Sequence, residues 1–185
     1  PQCLLTKGRS VGADFLIHTI MTRIGILSDT HGYWDERYAH YLGTCEAIFH
    51  CGDIGSLLLA ERLQDIAPLY AVYGNIDDSD TRRQYPETLS VTIEKARIAL
   101  IHIGGYPGRY TAAAKELISR TRPHLFLSGH SHILKVMPDR KNNLLHINPG
   151  AAGIQGWQPV RTLVRLAVDG DQLRDLEVIE LSGYR

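Results

Sequence analysis

The chain has 185 residues, 44% of them hydrophobic and 22% charged, which is enough for one domain with a proper core. Lys plus Arg and Asp plus Glu both number 20, so no overall positive field gathers a polyanion, and nucleic acid is disfavoured as the main ligand. No apolar run approaches the roughly 20 residues that cross a bilayer, and three cysteines without a Cys-x-x-Cys pair indicate neither a disulfide framework nor a thiolate zinc site.

Residues 1–20 mix Lys7, Gly8, Arg9 and Gly12 without a sustained period, and Asp14 and His18 interrupt their most apolar stretch, so they do not read as a secretory signal. They are expected to form an N-terminal extension outside the core, with Met21 as the natural start, residues 21–185 as a single domain and the cytoplasm as its location. From Arg23 strand and helix patterns alternate, the sign of an α/β layer. Ile24 to Leu27 is a strand, Trp34 to Leu42 a helix, Ala47 to His50 a strand, and Ser56 to Gln64 a helix with Leu57, Leu58, Ala60 and Leu63 on or near one face. Pro68 to Tyr73 is the third strand. After a turn-rich stretch from Gly74 to Pro86, Leu89 to Glu94 and Arg97 to His102 predict a hairpin. Tyr110 to Arg120 reads as a helix that Pro123 ends before the strand His124 to Leu127. Ile133 to Met137, Leu144 to Ile147, Thr162 to Val168 and Gln172 to Leu181 then follow as antiparallel strands, the last two joined by an Asp169-Gly170 turn. A βαβαβ half running into a β-rich half without a linker predicts two sheets packed face to face with helices outside.

Five of these strands end at a residue able to bind a metal: Asp29-Thr30-His31, Gly52-Asp53, Gly74-Asn75, His102 and Gly129-His130-Ser131-His132. In open α/β sheets ligands bind beyond the carboxyl ends of the strands, so sequence order becomes spatial convergence. Asp29 and His31, two residues apart, aim at one point if the backbone stays extended. Asp53 has two oxygens and is the choice for a bridging ligand, Asn75 offers an amide oxygen, His130 and His132 can serve one ion each, and His102 completes the second. A Gly-Asp or Gly-Asn pair alone is most often a turn; the ordered conjunction carries the reading. Two divalent ions are expected, manganese first, since carboxylate, amide and imidazole donors without sulfur suit manganese, iron, zinc, cobalt or nickel alike. With two carboxylates and one hydroxide against two divalent ions, the centre keeps a formal charge of about +1 and attracts an anionic phosphoryl group.

The series Ser-Asp-Thr-His-Gly, Cys-Gly-Asp, Tyr-Gly-Asn, strand-end His, Ser-Gly-His-Ser-His and Ile-Asn-Pro-Gly-Ala, spread over Arg23 to Glu180, resembles the calcineurin-like metallophosphoesterases, in particular their small bacterial and archaeal phosphodiesterase branch. The resemblance implies a four-layer α/β/β/α sandwich of two mixed β-sheets flanked by helices. It implies Asp29, His31, Asp53 and His132 at a first metal and Asp53, Asn75, His102 and His130 at a second, with Asp53, Asn75, His102 and His130 as the catalytic set. Many larger members place a His after the Asn as a general acid; this chain has Ile76, which predicts a preference for esters with good leaving groups. The His102-Ile103-Gly104 spacing also departs from the usual His-Gly. Asn148-Pro149-Gly150 is expected to support the His-bearing loop, and Gly104 to Arg109 to border the pocket, where Tyr106 or Arg109 can meet substrate. His18, His40, His50, His124 and His146 read as structural or surface residues. The expected activity is phosphodiester hydrolysis by a bridging hydroxide that attacks phosphorus in line, on a small phosphodiester, with no membrane partner and self-association left open. The alternatives are a non-catalytic protein-binding scaffold resembling the smallest retromer subunit, and a nucleotidase or nuclease.

Overall fold

A computed structural model describes residues 21–181, so the extension expected over residues 1–20 lies outside the described residues. The order of elements is β1 (Thr22–Leu27), α1 (Arg37–Leu42), β2 (Ala47–His50), α2 (Leu57–Gln64), β3 (Leu69–Ala71), α3 (Ser79–Gln84), β4 (Thr88–Ile93), β5 (Ala96–Ile101), α4 (Ala112–Thr121), β6 (Leu125–Leu127), β7 (Leu134–Asp139), β8 (Leu144–Pro149), β9 (Thr162–Asp169) and β10 (Gln172–Glu180). The strands form two five-stranded mixed sheets, β10-β9-β1-β2-β3 and β4-β5-β6-β8-β7. In the first, β1, β2 and β3 are parallel; in the second, β5, β6 and β8 are parallel.

Period-2 alternation builds the layers. Ile24, Ile26 and Phe49 of the first sheet meet Ile98, Leu100, Leu125, Leu127 and Ile147 of the second in the central core. The residues between them point outward: Leu27 and Ile48 pack on Tyr38, Leu42, Leu59 and Leu63 of α1 and α2, while Ala99, Ile101 and Phe126 pack on Ala114, Leu117 and Ile118 of α4. The result is the α/β/β/α sandwich.

Two local features differ from the sequence expectation. α1 begins at Arg37 rather than Trp34, because Asp35 turns its carboxylate back onto the Arg37 N–H at 3.0 Å and also pairs with the Arg37 and Arg161 guanidiniums. The turn-rich stretch from Gly74 to Pro86 also contains a helix, α3, started by Asp78, whose carboxylate accepts from the Thr81 N–H at 2.8 Å. Its residues Ser79 to Gln84 are polar and bury only Thr81, so they carry no apolar period to read.

Candidate metal centre

The carboxyl ends of the parallel strands of both sheets meet along one edge, and all seven expected donors lie on the loops that leave them. Hydrogen bonds close this edge within and between the sheets. The Asp29 N–H donates to the Gly52 carbonyl (3.0 Å) and the Gly129 N–H to the His102 carbonyl (2.9 Å). Between sheets, the His130 N–H donates to Asp29 Oδ2 at 3.1 Å, and His102 Nδ1 lies 2.8 Å from the Cys51 carbonyl.

The backbone differs from the extended form expected for Asp29 and His31. Asp29, His31, Asp53, His130 and His132 all lie in the left-handed region, at φ of 54°, 48°, 53°, 70° and 56°. Non-glycine residues seldom occupy this region, and five of them together mark a loop cluster held by its surroundings. Glycines before the donors leave the necessary room: a Cβ on Gly74 would collide with Asp53 Oδ1, and one on Gly129 with Ser28 Oγ.

The donor atoms fall into two groups. In one, Asp29 Oδ1 faces His132 Nε2 at 3.2 Å, and His132 Nε2 lies 3.4 Å from His31 Nε2. In the other, His102 Nε2 lies 3.1 Å from Asn75 Oδ1 and 3.3 Å from Asp53 Oδ1. Asp53 reaches toward the first group, with Oδ2 3.8 Å from His31 Nε2, and the Asp29 carboxylate in turn lies within ligand range of Asp53 and His102. His130 is exposed, with its ring centroid 5.3 Å from that of His102. Bonds of about 2.0–2.2 Å to one ion place adjacent ligand atoms about 3.0–3.5 Å apart, so most of these separations would suit neighbouring ligands of one ion.

The protonation pattern also fits a cation. A carbonyl can only accept, so His102 Nδ1 carries the proton and turns the lone pair of Nε2 toward two oxygens. His132 repeats the device: Gln158 donates its amide to the Gly153 and Gln155 carbonyls and so presents Oε1 to His132 Nδ1 at 3.0 Å. Asp29 Oδ1 is buried without a hydrogen bond of good geometry. Electron-pair donors that face one another need a cation or a proton between them. Burial disfavours the His102 imidazolium, yet the Asp53 carboxylate outweighs it and holds the group above its ordinary value; Asp29 does the same for His132.

Several supporting residues were not singled out as such in the sequence. His50 is fully buried. Its Nδ1 accepts from the Gly52 N–H at 3.2 Å, so Nε2 donates to Thr30 Oγ1 at 2.9 Å, and Thr30 donates on to the Ile54 carbonyl. Burial lowers its pKa to about 4 and keeps it neutral. Asp77 accepts from the N–H groups of Gly74 (2.8 Å), Gly55 (2.7 Å) and Ile54 (3.1 Å), tying the loop of Asp53 to that of Asn75. Arg82 clamps the same loop through the carbonyls of Gly74, Asn75 and Asp77. An Asp two residues past Gly-Asn is the only signal for this, and it is indistinguishable from an ordinary turn. Asn148, in contrast, is expected from the sequence to support the His-bearing loop, and it donates to the Gly129 carbonyl (2.7 Å) and Ser131 Oγ (3.1 Å), bracing that loop.

Cavities border both groups. One of about 660 Å3 is walled by His130 and His132, another of about 360 Å3 by Asn75, His102 and Arg82. Tyr106 and Arg109 line neither. A larger one, about 810 Å3, lies at the opposite ends of β5 and β6 beside Arg97 and His124, away from the donors.

The model of the calcineurin-like phosphoesterase superfamily domain matches residues 22–171, most of the chain and every one of these loops. The chain belongs to the calcineurin-like phosphoesterase superfamily. It is 29% identical over 167 residues to a probable metallophosphoesterase of Methanothermobacter thermautotrophicus, covering 84% of this chain and 91% of that one. Among solved structures, vacuolar protein sorting 29 from Cryptosporidium parvum shares the fold at a TM-score of 0.67 and 19% identity, over 88% of this chain and 99% of that one. A conserved Streptococcus pneumoniae protein described as a predicted phosphoesterase does so at 0.66 and 22%, over 86% and 90%. Membership of this metal-dependent superfamily supports phosphoester hydrolysis in general. Among the described residues, no helix is long and apolar enough to cross a membrane.

Proposed function

We propose that the chain is a phosphodiesterase with two divalent metal ions, manganese the first expectation. The observation that carries this reading is the placement of Asp53, whose Oδ2 faces His31 while Oδ1 faces His102. Asp29, His31, Asp53 and His132 hold one ion in this account, and Asp53, Asn75, His102 and His130 the other. Two divalent ions at such a centre acidify water into a nucleophile and withdraw charge from phosphoryl oxygens. The chain's own part is to hold the donors in place. Cys51 and Gln158 fix the tautomers of His102 and His132, and Asp77 and Arg82 hold the Asn75 loop against Asp53. Position 76 supplies no proton to a leaving oxygen: Ile76 is 47% exposed, and its backbone N–H donates to Asp53 Oδ1. The leaving group therefore departs without an acid from this residue, which favours activated esters. A diester has two ester arms, and two cavities border the donors, one at His130 and His132 and one at Asn75 and His102.

The test is hydrolysis of bis(p-nitrophenyl) phosphate by protein reconstituted with Mn2+. Asp53→Ala is expected to lower kcat/KM by at least roughly a thousandfold, since it removes a donor from both ions. Equal activity in that variant would sink the assignment. A protein-binding scaffold is the second reading, favoured by the shared fold with vacuolar protein sorting 29. Protein that binds metal yet hydrolyses neither diesters, monoesters nor nucleotides would replace the first reading with the second. Preference for nucleotides over simple diesters would indicate a nucleotidase.

A further inference from the structure

The cavity beside His130 and His132 has a chemistry of its own. One wall is the loop that carries these two histidines, and the other is the loop from Gly156 to Val160. Trp157 on the second loop is fully exposed, at 101%, and Ile133 and Val160 are 56% and 39% exposed. Exposed apolar side chains are ordinary when scattered, but an aromatic ring gathered with aliphatic neighbours around a concave site marks a place for a ligand. Polar side chains of the wall are turned to their own chain. Gln158 is held between His132 and two carbonyls, Thr162 donates to the Pro149 carbonyl, and Ser131 Oγ accepts from Asn148 and the Ile133 N–H. Among the described residues, no Lys or Arg lines the cavity, and the one acidic residue that does is Glu180.

We propose that this cavity receives one ester arm of the substrate, and that the arm is flat, apolar and uncharged, an aryl group being the simplest member of the class. The proposal rests on the phosphodiesterase reading and adds to it the nature of the group that does not leave. A phosphoryl group held at the donors lies at the mouth of the cavity, because His130 and His132 belong to both. An arm carrying a further phosphate finds no cation among the described lining residues and meets Glu180. An aromatic arm finds the free face of Trp157, which offers offset or edge stacking. The wall is also fixed in advance: Arg161, next to Val160, pairs with buried Asp35, while Gln158 is bonded to His132. Binding therefore has to order the exposed Trp157 ring but not the residues held beside it, which limits its cost.

Two diesters with the same leaving group separate the arm from the chemistry: methyl p-nitrophenyl phosphate and phenyl p-nitrophenyl phosphate, each with Mn2+-loaded protein. The expected result is a phenyl-over-methyl preference in kcat/KM that falls at least fivefold in Trp157→Ala and in Val160→Asp. Intrinsic reactivity is common to all the proteins, so the change in preference isolates the cavity. Hydrolysis of both esters with the same preference in all three proteins overturns the inference and leaves the phosphodiesterase reading standing. Hydrolysis of neither ester counts against that reading, and binding then decides the inference. In Trp34→Phe, Trp157 is the only remaining tryptophan. Its emission is expected to shift to the blue on addition of diphenyl phosphate and not of dimethyl phosphate; equal shifts, or none, overturn the inference.

Discussion

At the scale of single residues, the centre depends on backbone sign and imidazole tautomer as much as on residue type. That Asp29, His31, Asp53, Asn75, His102, His130 and His132 gather at one edge of the sheets was legible, because each follows a strand end in the sequence. The left-handed φ at five of these was not, since Asp and His can take either sign and only the loop around them decides. Nor were the tautomers, because the groups that set them, the Cys51 carbonyl and Gln158, lie 51 and 26 positions from the imidazoles they hold. His102 departs from the family's spacing, yet it is buried and oriented on both ring nitrogens, whereas His130, in the regular motif, is exposed. Gln158→Leu keeps the size of the side chain but leaves His132 Nδ1 without an acceptor. It is expected to weaken metal binding by about 10- to 100-fold, read by isothermal titration; unchanged affinity would remove Gln158 from the account.

At the scale of elements, the architecture followed from period: two-residue alternation in β1, β2, β5 and β6 sorted central core from outer layers, and the turn read at Asp169-Gly170 joins β9 to β10 one residue later, at Gly170-Asp171, with Asp169 paired to Gln172. The short polar α3 escaped because it presents no apolar face, only a capping Asp78 in a stretch already rich in turn formers. That segment nevertheless holds the two β-loops of the first sheet together through Asp77. Asp77→Ala leaves the N–H groups of Ile54, Gly55 and Gly74 without their acceptor. Hydrogen bonds to a charged acceptor contribute about 1.5–3 kcal/mol each, with partial relief from water here, so a loss of roughly 3 kcal/mol is expected. Chemical denaturation reads it, and metal affinity falls with it because Asp53 and Asn75 lose their register. A variant with wild-type stability would contradict this role for Asp77.

For the whole molecule, the buried histidines set how stability changes with pH. His50 and His146 are held near pKa 4 by burial, below the unfolded value of about 6.5. Between those limits the unfolded chain binds more protons, so stability falls as pH drops from about 6.5 toward 4, by up to roughly 3 kcal/mol for each residue. His102 and His132 act in the opposite sense in metal-free protein. Their raised values give stability that is fully present below the unfolded pKa and is lost as pH rises through the folded one. The metal-free protein is therefore expected to be most stable near pH 6.5. His146, packed against Tyr110 and Phe126 with neither ring nitrogen bonded, offers the test. His146→Phe should flatten the acid side of a urea-midpoint profile, and an unchanged acid slope would contradict the assignment.

All these scales converge on Asp53, placed by β2, held in register by Asp77 and shared between two groups of donors from two sheets. A crystal of Mn2+-loaded protein, measured for anomalous scattering, tests that placement directly. The account predicts two peaks about 3.5–4 Å apart, one on each side of the Asp53 carboxylate. A single peak, or peaks that do not share Asp53, would contradict it.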